Sequence, residues 1–518
     1  MIAGTMKRLA CLLLFPVAAM AEEAPLQQLG AFVEKGLADW STPGLVLAVV
    51  KDDAVAFETG YGVREVGKPE RIDAHSRVGI GSTSKAFGAA AIASLVAKGR
   101  LGWDDRVTDF LPDFQLHDPS VTHDVRVRDI LSHRVGLDLT DENRLLAVAT
   151  DTHDFIRRLR YVEPAQPFRS NYVYSNAMFT TVGEVVGAVS GKRWDAYLKE
   201  AIWEPLGMRE TGASLDEALA SANHATAHAL VGKGLRALPH WEPERSVFEI
   251  TGPSGAVIST AHDMAQWLRL QLGDGRIGDR QLIDAAIFHE MHTAHTPMRD
   301  VKGATSWFRH VPAAALKISD QSYAMGWRVS RYRGRPMIWH GGTVSGFRTV
   351  VAFMPQEKLA VFVNGNRESL FPFAVALTVF DSYLGIHDTD WSQLFLTERR
   401  EQEKEAAAVE ERLQRDRIRG TKPALPLERY AGRYSDGAGF GEVEVSRADK
   451  GLALRLGSRR GVLEHWHHEI FRVHWDELVP DETFVRFEID PAGAPAALMI
   501  DDIGRFKSIG PERPGHEH

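Results

Sequence analysis

Hydrophobic residues cluster in strand-length runs near residue 50 and again after residue 320. Residues 44–50 form a continuous apolar run, 51–53 a polar turn and 54–57 a second apolar run, a pattern that predicts a β-hairpin. Later runs that favour strands are separated by tight polar turns, as in an antiparallel meander, and span 324–332, 336–340, 347–354 and 359–364.

The sequence between these runs favours helices. An Ala-rich segment from Ser82 to about Lys98 predicts a helix that ends near Gly99, and mainly helical signals continue to about residue 315. Strands from both ends of a domain, with helices between them, predict one antiparallel sheet built from the N- and C-terminal portions. The expected fold class is therefore α+β.

A different pattern begins near residue 397. Residues 397–419 are charged, Ala-rich and free of Gly and Pro, which predicts a solvated helix acting as a semi-rigid spacer. Strand-like runs follow at 441–446, 452–456, 471–475 and 484–489, so residues 425–510 are predicted to form a small β-barrel or sandwich. The expected division is a main domain over 22–392, a helical linker over 393–424 and a second domain over 425–518.

The N-terminus has the pattern of a secretory signal peptide over residues 1–21. Lys7 and Arg8 precede an apolar stretch, and Ala19-Met20-Ala21 provides a small-residue cleavage site, which would leave Glu22 as the first residue. The apolar stretch is too short to cross a bilayer, and no later run reaches the roughly 18 apolar residues of a transmembrane helix. We therefore expect a periplasmic or secreted protein without a transmembrane segment.

Composition and charge argue against cysteine chemistry and nucleic-acid binding. The chain of 518 residues contains one cysteine, Cys11, inside the predicted signal, so the mature chain would have no disulfide and no cysteine nucleophile. A lipid anchor on Cys11 is the alternative, but no apolar stretch precedes it. Loss of Lys7 and Arg8 changes the net charge from −8 to −10, which disfavours nucleic-acid binding.

Ser82 and Lys85 form the first candidate for chemistry. A serine at a helix start and a lysine three residues later lie on one face of the helix, so the amine can reach the hydroxyl. A lysine kept neutral by its surroundings can activate such a serine, and helix N–H groups can stabilise an oxyanion. Taken alone, the pair is also consistent with an N-cap serine and a solvent-exposed lysine.

Two further motifs add polar groups. In Tyr174-Ser175-Asn176, the tyrosine can transfer a proton and the asparagine amide can hold both a lysine and a substrate. The sequence His340-Gly341-Gly342 comes at the end of a predicted strand. The small residues after His340 allow close approach of the backbone, and the N–H of Thr343 could donate to an oxyanion.

The order Ser-x-x-Lys, Tyr-x-Asn and His-x-Gly resembles the class C β-lactamase and penicillin-binding-protein family of serine hydrolases. Surrounding strings at 81–87, 130–137, 205–208 and 340–347 strengthen the resemblance, which covers roughly residues 26–390. It implies an antiparallel sheet flanked by helices, an adjacent all-helical region and a site between them. The string at 427–434 resembles the start of a C-terminal lipocalin-like domain, and therefore of a barrel.

The resemblance implies a role for each motif residue. Ser82 would be the nucleophile, Lys85 the base for acylation and Tyr174 the proton relay. The implied substrate-binding residues are Asn176, His340, Gly342 and Thr343. Many relatives have a lysine where this chain has His340, so strong binding of a substrate carboxylate, and efficient β-lactamase activity with it, is not expected.

The predicted activity is cleavage of an amide, peptide or ester bond through a Ser82 acyl-enzyme, without a cofactor or metal. A D-amino-acid peptide or small ester is the favoured substrate. The alternatives are a β-lactamase, or a protein that is acylated, or binds wall fragments, without hydrolysis. The oligomeric state stays open.

Other residues that could be metal ligands or catalytic groups are interpreted as structural. His289 and His292 stand one residue too close for a zinc-protease motif, and Ser254 only partly matches an esterase nucleophile elbow. His133 is expected to be a structural cap.

Overall fold

The computed structural model describes residues 26–509 except 233, 239–240, 242–244, 300–307, 309, 345, 438, 440, 449–450, 477–482 and 502. The predicted signal peptide, its cleavage site and Cys11 lie outside the described residues.

The helices lie mostly between the two groups of sheet strands. In chain order they are α1 (Leu29–Asp39), α2 (Ser84–Ala97), α3 (Pro119–Asp124), α4 (Val127–Leu131), α5 (Leu139–Val148), α6 (Thr152–Arg158), α7 (Asn176–Ser190), α8 (Trp194–Leu198), α9 (Glu204–Leu206), α10 (Leu215–Ala220), α11 (Arg245–Ile250), α12 (Ala261–Leu272), α13 (Ala285–Glu290), α14 (Ala313–Leu316), α15 (Phe371–Tyr383) and α16 (Trp391–Asp416). Among the described residues, no helix combines the length and hydropathy needed to cross a membrane.

The strands form one large sheet, a barrel and three short ladders. They are β1 (Gly44–Lys51), β2 (Ala54–Gly62), β3 (Val78–Gly79), β4 (Ala227–Val231), β5 (Gly234–Leu238), β6 (Ile258–Ser259), β7 (Arg276–Ile277), β8 (Arg280–Gln281), β9 (Thr296–Pro297), β10 (Ile318–Tyr323), β11 (Arg328–Tyr332), β12 (Arg335–Val344), β13 (Phe347–Met354), β14 (Leu359–Gly365), β15 (Gly432–Ser435), β16 (Glu442–Ala448), β17 (Gly451–Leu456), β18 (Arg459–His467), β19 (Ile470–Trp475), β20 (Thr483–Ile489), β21 (Pro495–Ile500) and β22 (Gly504–Ile509).

The large sheet confirms the predicted α+β architecture. Its order is β2-β1-β14-β13-β12-β11-β10-β9, so an N-terminal hairpin pairs with the C-terminal meander through β1 and β14. The hairpin turn has positive φ at Asp52 and Asp53, the conformation that a two-residue turn between twisted strands requires. Strand β10 was not predicted, and β11 begins four residues after the start of the predicted run at 324.

Strand β1 is apolar throughout because both faces of the sheet are covered. Val46 and Ala48 belong to the core shared with α2 and the helical region, whereas Leu45 and Leu47 belong to the core beneath α1, α15 and α16. Helix α2 is buried on nearly every side between the sheet and α7, which explains its uniformly apolar sequence. Its start is therefore fixed at the junction of sheet and helical region.

The C-terminal portion confirms the predicted barrel. Strands β15 to β22 close into an antiparallel barrel around an apolar core that includes Tyr434, Leu454 and Phe487. Helix α16 precedes it and starts earlier than the predicted charged helix, because Trp391 and Phe395 pack into the core of the main sheet. Beyond Glu398 most of this helix is exposed, as its charged sequence predicts.

Candidate functional site

Ser82 lies in a short 3-10 turn, Gly81–Thr83, directly before α2. The turn is held on both sides of the serine: the Thr83 hydroxyl donates to the Ile80 carbonyl at 2.8 Å, and the Ser84 hydroxyl donates to the Gly81 carbonyl at 2.6 Å. The Ser84 oxygen also accepts from the Val257 N–H at 3.0 Å. The Ser82 side chain is thereby presented, partly exposed, on a rigid turn.

Lys85 is fully buried one turn along α2. Its Nζ donates to Asn176 Oδ1 and to the Ser254 carbonyl, both at 2.7 Å, and lies 4.7 Å from the centre of the Tyr174 ring. Burial lowers the pKa of this amine well below its usual range, and nearby Glu142 opposes that effect. The surroundings therefore favour the neutral amine.

Tyr174 lies beside Ser82. Burial raises the pKa of its phenol, and the Ser82 hydroxyl only partly opposes that rise. His133 positions the segment that carries Tyr174: the His133 carbonyl accepts from Val173 N–H at 2.9 Å and its Nδ1 accepts from Ser175 N–H at 3.1 Å. The imidazole packs 4.3 Å from the Tyr174 ring, centre to centre. His133 thus acts as a structural group, and its positive φ of 55° follows the end of α4.

Asn176 begins α7, and the carboxyl group of Glu142 lies at this helix start. Glu142 accepts a hydrogen bond from the Ser175 hydroxyl and one of 2.6 Å from the Asn176 N–H. Burial raises the pKa of Glu142 to about 8, although these hydrogen bonds and Lys85 oppose the rise. The site therefore contains a buried acid beside a buried amine.

Strand β12 reaches the serine turn because two glycines remove side chains from the contact. A Cβ on Gly342 would lie 2.1 Å from the Ile80 carbonyl oxygen and 3.2 Å from the Ser82 nitrogen. A Cβ on Gly81, whose φ is +53°, would lie 2.6 Å from the Thr343 nitrogen. The backbone N–H groups of Ser82 and Thr343 are consequently close neighbours.

His340 is buried, with both ring nitrogens occupied by protein groups. A carbonyl can only accept, so Nδ1 donates to the Gly341 carbonyl at 2.7 Å and Nε2 accepts from the Tyr323 hydroxyl at 3.0 Å. Burial, Arg328 and Lys85 all lower the pKa of this imidazole well below its usual range. The neutral form of His340 is therefore favoured, and both ring nitrogens are used by protein groups rather than by a ligand.

A cavity of about 150 Å³ opens beside Ser82. Its lining residues are Ser82, Glu142, Asn143, Leu146, Phe155, Asn176, Thr251, Ser254, Gly255 and Thr343. Of the seven residues singled out from the sequence, Ser82, Asn176 and Thr343 line this cavity. Lys85 and Tyr174 contact those lining residues, Gly342 supports the turn from β12, and His340 lies behind Tyr174, with ring centres 6.3 Å apart.

Sequence reasoning missed several groups that shape the cavity. Glu142 stands in an unremarkable helical segment, and the Ser254 carbonyl is a backbone group, so neither carries a motif signal. Tyr323 lies outside the strands predicted from the sequence, although its hydroxyl hydrogen bonds to His340. All three act through tertiary contacts between segments far apart in the sequence, which a local pattern does not reveal.

Histidines outside the cavity have other partners. His292 Nε2 pairs with Gln271 Oε1 at 3.0 Å in the core. Donor atoms of Glu58, His75 and His262 lie within 4.8 Å of one another. However, His262 pairs with Glu58, and His75 with a further glutamate, each at 3.0 Å, so this cluster contains two histidine–carboxylate contacts.

An antiparallel sheet covered by helices, with Ser82 and Lys85 at the start of a buried helix, defines the β-lactamase and penicillin-binding-protein class of serine hydrolases. A family model described as "Beta-lactamase" matches residues 29–381, and the chain belongs to this family of enzymes. Residues 416–510 match a second model, a domain of unknown function named DUF3471, which covers the barrel. The family assignment made from the motifs is confirmed.

Relatives and solved structures agree with this assignment. The chain is 28% identical over 508 residues to "Unguisins hydrolase ungD" of Aspergillus violaceofuscus, covering 90% of this chain and 86% of that protein. Its fold resembles the octameric penicillin-binding protein homologue from Pyrococcus abyssi, with a TM-score of 0.61, 20% identity and coverage of 93% and 99%. It also resembles the D-amino acid amidase from Ochrobactrum anthropi SV3, with a TM-score of 0.55, 20% identity and coverage of 70% and 97%.

Proposed function

We propose that this protein hydrolyses an amide or ester bond through an acyl-enzyme on Ser82, with Lys85 as the base and Tyr174 as the proton relay. The observation that carries the proposal is the hydrogen bonding of Lys85. A neutral amine has two N–H groups and one lone pair, and two acceptors, Asn176 Oδ1 and the Ser254 carbonyl, are in place at 2.7 Å. The lone pair is then left to accept a proton.

Acylation proceeds as follows. The Ser82 oxygen attacks the substrate carbonyl while its proton passes to Lys85, directly or through the neighbouring Tyr174 hydroxyl. Collapse of the tetrahedral intermediate breaks the bond to the leaving group, which takes that proton. In the second half, water attacks the acyl carbon and gives a proton to the same relay. The bond between the acyl carbon and the Ser82 oxygen then breaks, the relay returns the proton to that oxygen, and the acid is released.

The oxyanion would be stabilised by the backbone N–H groups of Ser82 and Thr343. The close approach of Gly342 to Ile80 and Ser82 brings the two segments together, and the start of α2 adds a favourable dipole. Asn176 anchors Lys85 and contacts the substrate from the cavity wall. We propose that His340 acts as a positioning residue through Tyr323, since both of its nitrogens are occupied.

The substrate is proposed to be a D-amino-acid peptide or amide, or a small ester. Support comes from relatives named as a hydrolase and as a D-amino acid amidase. The third motif offers a neutral imidazole where a lysine would bind a carboxylate, which favours neutral esters and amides over penicillins. We also propose that the protein is exported, on the basis of the predicted signal peptide.

The test is covalent labelling with a fluorophosphonate, followed by mass spectrometry of the labelled peptide. We expect the label on Ser82, and a fall in acylation of at least about 10³-fold in Ser82→Ala, the usual scale for loss of a nucleophile. Ser254→Ala is the matched comparison, because that serine lines the same cavity but contributes its carbonyl to Lys85. Label on Ser254, or undiminished acylation of Ser82→Ala, would refute the mechanism.

Turnover and substrate class are tested with a D-aminoacyl amide, its L-enantiomer, a neutral ester and benzylpenicillin. Hydrolysis of the ester or D-amide, with faster turnover than for penicillin, is expected. A stable acyl-enzyme with every substrate would instead support the binding protein that the sequence leaves as an alternative.

A further inference from the structure

The C-terminal barrel contacts the catalytic domain at α5 and α6, the two helices that form one wall of the cavity. Asn143 and Leu146 of α5 and Phe155 of α6 line this wall. Thr251, Ser254 and Gly255, from the segment that follows α11, also line the cavity. The barrel therefore touches the side of the site that is built from short helices.

Helix α5 contacts the catalytic site near its first residues and the C-terminal barrel at its last residues. Near its start, Glu142 binds the first residues of α7 beside Lys85. At its end, the Ala147 carbonyl accepts a hydrogen bond of 3.1 Å from the Ser458 N–H of the barrel, and Val148 packs against the barrel core. A helix of ten residues is too short to be stable alone, so these terminal contacts help to fix its position.

Gly457 permits this contact. It occupies the turn between β17 and β18 with a φ of +56°, and a Cβ there would lie 1.8 Å from the Ala147 carbonyl oxygen. Only glycine combines that backbone conformation with such a close approach to α5. The turn is thus fitted to the end of the helix.

A second contact reaches α6. Arg158 binds Asp154 within the helix at 2.8 Å and donates through Nη1 to the Gly439 carbonyl of the barrel, also at 2.8 Å. A Cβ on Gly439 would lie 2.9 Å from Cβ of Tyr161, just after α6. The barrel loop therefore packs closely against the helix that carries Phe155.

The barrel is also tied to the helix that leads into it. Arg472 of β19 pairs with Glu410 of α16 at 3.1 Å, and the guanidinium of Arg417 lies 4.3 Å from the centre of the Trp466 ring. These contacts hold the barrel on a helix whose first turns are anchored in the main core. The position of the barrel is therefore fixed relative to the main core, and its contacts can stabilise the positions of α5 and α6.

We propose that the barrel positions the α5–α6 wall and thereby sets which acyl groups the cavity accepts. Leu146 and Phe155 make this wall partly apolar, so a braced wall favours a substrate with a bulky apolar acyl group. A small acyl group needs only the Ser82 turn and its relay. This inference rests on the proposed acyl-enzyme function and adds a specificity role for residues far from Ser82.

The test compares Gly457→Ala with Gly493→Ala in the full chain. Gly493 also has positive φ in a barrel turn, at +80°, but has no atom within 4 Å of a Cβ. We expect Gly457→Ala to lose at least about tenfold in kcat/KM for p-nitrophenyl phenylacetate and less than about threefold for p-nitrophenyl acetate, since small displacements of a substrate wall have large kinetic effects. Gly493→Ala should change neither.

Hydrogen exchange gives a readout that does not depend on catalysis. Amides of residues 139–148 should exchange faster in Gly457→Ala, whereas those of α2 should not. Unchanged exchange in α5, or an equal loss for both esters, would overturn the proposal. Failure of Ser82 to take the fluorophosphonate in the unmodified chain would instead overturn the proposed function and leave the exchange result standing.

A second pair of variants covers the case in which Gly457→Ala does not fold. Arg158→Gln removes the contact with Gly439, and Arg157→Gln removes only an ion pair with the same Asp154. The phenylacetate-specific loss should appear in Arg158→Gln and be absent from Arg157→Gln. An identical effect in both would contradict a role for the barrel.

Discussion

At the scale of single residues, the site depends on how two buried ionisable groups share their protons. Burial disfavours the charged forms of both Lys85 and Glu142, so it lowers the pKa of the amine and raises that of the acid to about 8. An ionised Glu142 would stabilise the ammonium form of Lys85, which is inactive as a base. Glu142 is therefore expected to control the pH range in which Lys85 can accept a proton.

Glu142→Gln should shift the acid limb of the kcat/KM profile to lower pH. Glutamine keeps an oxygen that can accept from the Asn176 N–H but removes the negative charge that raises the pKa of Lys85. The measurement is ester hydrolysis from pH 5 to 10. Glu184→Gln is the control, because Glu184 is a partly buried acid of α7 whose raised pKa does not involve Lys85.

The same substitution has a consequence for stability. A carboxyl whose pKa is higher in the folded than in the unfolded protein contributes stability at low pH, and that contribution is lost as pH rises through its folded pKa. The melting temperature of the unmodified protein should therefore fall as pH rises from about 4.5 to about 8 and level off above that, and the fall should be smaller in Glu142→Gln. An unmoved acid limb together with an unchanged melting profile would contradict this role.

At the scale of secondary-structure elements, the critical contact is between β12 and the serine turn. The turn stays rigid through the Thr83 and Ser84 hydroxyls, and β12 can approach it only because Gly342 has no side chain. The oxyanion site that we propose at the N–H groups of Ser82 and Thr343 depends on this approach. The motif His-x-Gly is thus a packing requirement as much as a chemical one.

Gly342→Ala should separate β12 from the turn, because the added Cβ would lie 2.1 Å from the Ile80 carbonyl oxygen. We expect acylation by a small ester to fall about 10²-fold to 10³-fold, the scale measured for loss of an oxyanion donor. Stopped-flow acylation provides the measurement. Gly212→Ala, at a glycine with open space around its Cβ position, should retain the rate; equal rates in the two variants would show that Thr343 does not take part.

At the scale of the whole molecule, the chain combines an enzyme domain with a barrel that contacts it near the cavity. The N-terminal 21 residues, which lie outside the described residues, are predicted to be removed on export. Intact mass of protein recovered from the periplasm or medium should correspond to a chain that begins at Glu22. A mass that includes residues 1–21, or a lipid on Cys11, would contradict the signal-peptide prediction.

The sequence by itself determined the fold class, most strands of the main sheet and the family. Strands β1, β13 and β14 carry apolar runs that are readable locally because both faces of the sheet are buried, and α2 carries helix-favouring residues throughout. The motifs around Ser82, Tyr174 and His340 stand out because each couples a reactive side chain to a local backbone requirement.

Only the tertiary structure placed Glu142 beside Lys85, occupied both nitrogens of His340 and brought the barrel against α5. Short strands such as β3 and β6 and the two-residue β9 were not readable, since their pairing is set by neighbours distant in sequence. Protonation likewise depends on burial and on groups from other elements, so a sequence motif identifies Lys85 but not its neutral state. Local patterns encode which elements form, whereas the charges and contacts of the site arise when those elements pack.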